Sequence, residues 1–102
     1  MNSDNYKKNK IKNLEERLVN LGINECVIAS VYETSDNPIQ TFRNIYIELK
    51  KNEQPMQSYN LLELELIKKG VRANAMHVLK RALKEYVNYM SLLKKIYEKY
   101  KN

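Results

Sequence analysis

Residues 26–50 read CVIASVYETSDNPIQTFRNIYIELK, and the way this stretch folds decides the class of the whole chain. CVIASVYET is rich in β-branched and aromatic residues. NIYIEL alternates Ile45, Ile47 and Leu49 with Asn44, Tyr46 and Glu48. Between them lies SDNP, strong turn chemistry. A helical pattern competes: Asn37 as cap, Pro38 at the first helical position, then Ile39, Phe42, Ile45 and Leu49 on one stripe. Periodicity alone does not separate the two in short apolar runs. The β-branching of Val27, Ile28, Val31, Thr41, Ile45 and Ile47 favours a β-hairpin.

On both sides of that stretch the chain reads as helix. Ile11, Leu14, Leu18 and Leu21 recur at three and four over 7–21, and Gly22 stands where a helix C-terminus wants positive φ. Lys7, Lys8, Lys10 and Lys12 crowd the start, where the helix dipole opposes positive charge. That placement fits a solvated tail, or a first turn lying against an anion. KNEQPMQ, 51–57, reads as a loop. A helix then starts near Ser58 or Asn60, with capping-box spacing from Asn60 to Glu63, and runs through Leu61, Leu62, Leu64, Leu66 and Ile67 to Gly70.

Further on, Met76, Leu79, Leu83, Tyr86, Met90, Leu93, Tyr97 and Tyr100 are spaced by three and four, a coiled-coil-like seam. Val78, Ala82, Tyr89, Leu92 and Ile96 form a second stripe beside it. One helix with two apolar stripes needs two surfaces to bury them. Residues 76–100 are therefore expected to be a homodimerisation helix, with Leu79, Leu83, Tyr86, Met90, Leu93 and Tyr97 at the interface. No internal repeat is evident from the sequence.

At 102 residues the chain is read as one domain, 1–102, with little stability to spare. Residues 1–51 carry eight basic and seven acidic side chains, and 52–102 carry ten and five, so most of the net +6 lies in the second half. That balance favours an anionic partner. One cysteine, Cys26, and one histidine, His77, exclude an internal disulfide and a zinc-ligand set. With two glycines there is no phosphate loop. Glu15/Glu16 and Glu63/Glu65 do not share a helical face. No enzyme activity and no cofactor are expected. MNSDNYKKNK has no apolar stretch behind its lysines, and no run approaches a membrane span, so a cytoplasmic protein without a membrane partner is expected.

The clearest functional pattern is residues 67–86, IKKGVRANAMHVLKRALKEY. Gly70 suits the turn of a helix-turn-helix, Val71, Met76 and Leu79 suit packing beneath its second helix, and Arg72, Asn74, His77, Lys80, Arg81 and Lys84 remain outward or flanking. Arg and Asn suit base edges, and Lys suits phosphate. Two features depart from the motif: Leu66 where a small residue is usual, and Glu63 and Glu65 where phosphates would lie. A hairpin would add Asn37, Gln40, Thr41, Arg43 and Lys50 as a DNA-contacting ribbon. Lys68, Lys69, Lys10 and Lys12 would hold phosphates.

GVRANAMHVLKRALKEY resembles the second helix of winged helix-turn-helix proteins. With its size and charge, the chain is also similar to the small relaxosome accessory proteins (TcpK type) of clostridial conjugative plasmids. The candidate hairpin precedes the helix pair, whereas the usual wing follows it. The resemblance implies a homodimer that binds duplex DNA at a plasmid transfer origin, beside other proteins of a nucleoprotein complex, without cutting it. The expected architecture is thus α+β, mainly helical and winged-helix-like, with an all-α bundle as the alternative. The rival function is a helical protein-binding module, such as a bacteriocin immunity protein or an antirepressor.

Overall fold

The computed structural model describes residues 3–101 and contains six helices among them, with no strand. They are α1 (Ser3–Asn20), α2 (Glu25–Thr34), α3 (Pro38–Lys51), α4 (Leu61–Lys68), α5 (Ala73–Leu83) and α6 (Tyr86–Lys101). The all-α alternative is the one that fits, and the β-hairpin with its wing is overturned.

Residues 26–50 form α2 and α3 because burial follows the helical period. In a strand Ile45 and Ile47 would share a face, yet Ile45 is 0% exposed and Ile47 53%. Phe42 and Ile45, three apart, are buried together. Asn37 Oδ1 accepts the Gln40 backbone N–H at 3.3 Å and Pro38 opens the helix. The hydroxyls of Ser30 and Thr34 donate to carbonyls four residues back, at 2.7 and 2.9 Å. Tertiary burial here outweighs the weak β preference of valine and isoleucine. Asn37, Gln40 and Thr41 are thus local structure rather than a ribbon tip. Asn37 is a cap, Gln40 Nε2 donates to Asn44 Oδ1 at 3.0 Å, and Thr41 shares a hydrogen bond with Ser35 at 2.7 Å.

The single helix expected over 76–100 is also corrected. It breaks at Lys84, whose φ is 61°, between α5 and α6. Folding back lets one chain bury both stripes. Leu79 and Leu93 are each 0% exposed inside the core, so neither can form a dimer contact. Leu83, Met90 and Tyr97 are half-buried against that core. Of the expected seam only Tyr86 stands well exposed, at 65%.

The chain does contain an internal repeat. α4 ends, α5 begins and α6 begins 48 residues after the matching points of α1, α2 and α3 (20 to 68, 25 to 73, 38 to 86). Burial keeps the same register: Leu18 matches Leu66, Ile23 matches Val71, Ile28 matches Met76, Val31 matches Leu79 and Ile45 matches Leu93, all buried. Gly22 and Gly70 have φ of 103° and 114°, and each is followed by an amide that reaches back five residues. Ile23 N–H donates to the Leu18 carbonyl at 3.0 Å, and Val71 N–H to that of Leu66 at 2.9 Å. Packing is reciprocal: α2 lies on α6 as α5 lies on α3, and α1 meets α3 as α4 meets α6. The two three-helix halves therefore form a pseudo-twofold pair. Their match lies in hydrophobic character more than in identity, which is why the sequence did not display it.

Candidate nucleic-acid interface

The register of α1 puts Lys10, Asn13, Leu14 and Arg17 on one side, three or four residues apart. α3 faces them with Arg43, Tyr46 and Ile47. Together they line a groove of about 410 Å³ with no carboxylate among the described residues of its lining. Arg17 and Arg43 are exposed, and neither belongs to an ion pair among the described residues. Tyr46 and Leu14 are half-buried and form an apolar floor with Ile47. One turn further along α3, the Lys50 ammonium lies 5.4 Å from the Tyr46 ring centroid. Cations at the rim and apolar groups beneath them can hold a phosphate-bearing ligand with a flat, greasy part.

The second half carries more positive charge but spends more of it internally. Arg81 meets Glu48 at 2.9 Å and Glu53 at 2.8 Å, Lys99 meets Glu33 at 2.8 Å, and Lys95 meets Glu98 at 3.5 Å. Lys68 is 3.9 Å from Glu65, and the Lys69 ammonium is 5.3 Å from the Tyr97 ring centroid. Arg72 turns toward the other half. A Cβ on Gly22 would come within 2.8 Å of its Nη1, so the guanidinium sits at the C-terminal end of α1, where the helix dipole favours a cation. Asn74, Lys80 and Lys84 on or beside α5 are exposed. Between them His77 has its Nε2 buried without a hydrogen bond, 3.9 Å from the Glu53 carboxylate. Glu53, from the connection between the halves, thus occupies part of the side that a recognition helix would present.

Of the DNA-contacting residues read from the sequence, the structure gathers Lys10 and Arg43 in the lining of one groove, with Lys50 over the ring of its Tyr46. Lys12 lines a different groove, beside Glu15, Glu16 and Glu25. The side chains of Lys7 and Lys8 fall outside the described residues. Asn13, Arg17 and Tyr46 were missed. Their signal is the three-and-four spacing of Lys10, Asn13 and Arg17 on α1, set against Arg43, Tyr46 and Lys50 once 38–51 is taken as helix.

No family model, curated protein or solved structure matches the chain. Among the described residues, no three His, Cys, Asp or Glu side chains could together hold a metal ion. Among the described residues, no helix is long and apolar enough to cross a membrane.

Proposed function

We propose that this protein binds DNA and performs no catalysis, holding the phosphate backbone at the α1–α3 groove. The observation that carries this reading is the pair Arg17 and Arg43, exposed on opposite walls of a groove that, among the described residues, no carboxylate lines. Guanidinium groups pair with phosphate bidentately, and a net charge of +6 draws a polyanion toward them. The test is fluorescence anisotropy of a labelled duplex across a salt series. Affinity should fall linearly on a log–log plot, by about one unit of slope per phosphate contacted. Absence of binding to the duplex and to its separated single strands at about 50 mM salt would reject the reading.

A second reading, assembly through a protein contact, is favoured by an apolar patch elsewhere on the chain. Leu61, Val87 and Tyr86 are 83%, 73% and 65% exposed beside a shallow groove lined by Tyr59, Leu62 and Met90. Among the described residues no lysine or arginine lines that groove, so two basic copies can meet there without opposing cations. Homodimerisation then runs through this patch rather than through Leu79 and Leu93. Sedimentation velocity of the wild type and of Val87→Asp checks it: the variant should lose a dimer that the wild type forms.

A further inference from the structure

We infer that the α1–α3 groove takes an unpaired nucleotide, the base resting on Tyr46, Leu14 and Ile47 and the flanking phosphates on Arg17 and Arg43. This rests on the DNA-binding reading above and names the form of DNA the groove suits. An intact duplex stacks its base faces inside and presents sugar, phosphate and base edges to a binding surface. Such a surface would set charged backbone against Ile47, which is 53% exposed, and against the half-buried Tyr46. An unstacked base offers a flat apolar face to this floor, where the Lys50 ammonium already lies over the Tyr46 ring. Aromatic platforms framed by cations are the usual means of holding single strands. The groove, about 410 Å³, falls in the size range of pockets for small ligands, about 300–1,000 Å³. Among the described residues, its polar lining besides the cations and the Tyr46 hydroxyl is the Asn13 amide, too little to read a sequence of base edges. Binding at this groove is therefore tolerant of sequence and selective for unpaired bases.

The experiment compares four labelled probes on the full-length protein: a single strand, the perfect duplex, the same duplex with a central unpaired bubble, and a single strand carrying abasic sites. The single strand and the bubbled duplex should bind about tenfold more tightly than the perfect duplex. The abasic strand should lose that advantage. Tyr46→Leu should lose it too, whereas Tyr46→Phe keeps it. Ile47→Ala, at an exposed position, should weaken single-strand binding without disturbing the fold. If the perfect duplex binds as well as the single strand, and Tyr46→Leu and Ile47→Ala change neither, the inference is overturned while DNA binding stands. If no probe binds at low salt, both fall together.

Discussion

Arg81 on α5 and Glu33 on α2 stand at the same place in the two halves of the chain, 48 residues apart, and make ion pairs of opposite polarity. Arg81 Nε donates to Glu48 on α3 at 2.9 Å, while Glu33 accepts from Lys99 on α6 at 2.8 Å. Each pair joins one half to the other. The hydrogen bond from Arg81 holds the Glu48 carboxyl below the usual carboxylate range, and that from Lys99 does the same for Glu33. By the 48-residue register Lys99 corresponds to Lys51 and Glu48 to Ile96, so the two bridges occupy neighbouring rather than equivalent places on α6 and α3.

Arg81→Glu should lower the thermal midpoint more than Arg81→Ala, because it sets a third carboxylate beside Glu48 and Glu53. Adding Glu48→Lys should recover part of that loss. Thermal unfolding of the single and double variants measures the coupling. Independent, additive effects would mean that the pair does not join the halves.

Tyr89 and Glu63 make the buried polar contact that ties α6 to α4. The Tyr89 hydroxyl donates to Glu63 Oε2 at 2.5 Å, while Glu63 Oε1 accepts the Asn60 backbone N–H at 2.7 Å in a complete capping box. Tyr89→Phe leaves one carboxylate oxygen of a residue that is 3% exposed without its donor. A cost of about 1–3 kcal/mol is expected in urea unfolding. A variant as stable as wild type would show that water supplies the bond.

Tyr32 and Tyr89 should resist ionisation at high pH. Partial burial, with help from Glu15, pushes Tyr32, still 42% exposed, up to about 12, and full burial with the Glu63 bond pushes Tyr89 higher still. A raised pKa in the folded state means the proton is held more tightly there. The stability these groups lend is then complete below about pH 10, the ordinary tyrosine value, and is lost as pH rises toward 12 and beyond. Ultraviolet titration of the eight tyrosines should show an incomplete step near pH 10 and a late one that coincides with unfolding. A single step near pH 10 would contradict the burial.

Lys84→Gly separates a broken helix from a continuous one. Lys84 holds φ 61° and ψ −40°, a conformation costly for a side-chain-bearing residue. Glycine there should raise stability by about 1 kcal/mol. Inside one long helix the same change would cost about 1 kcal/mol instead.

The sequence showed the first and fourth helices, the Asn60–Glu63 capping box and the turn at Gly70, because caps and glycines act locally. It misled at 26–50, where β-branched residues obey a helical period that only burial reveals, as the contrast of Ile45 with Ile47 shows. It misled again at 76–100. The three-and-four spacing runs on through Lys84, and no glycine or proline marks the break. The repeat stayed hidden because matched pairs such as Ile28 and Met76, or Val31 and Leu79, share apolar character and burial rather than identity. Arg17 and Tyr46 were beyond reach for a related reason. A groove between α1 and α3 exists only if residues 38–51 form a helix.

The most direct measurement is DNA affinity at low salt for two double variants, Arg17→Ala with Arg43→Ala, and Lys80→Ala with Lys84→Ala. Each pair removes two exposed cations, so the change in net charge is the same. The groove pair should weaken binding by tenfold or more and flatten the salt slope by about two units, with the α5 pair well behind. Equal losses, or a larger loss from the α5 pair, would place the interface on the fifth helix and contradict the groove.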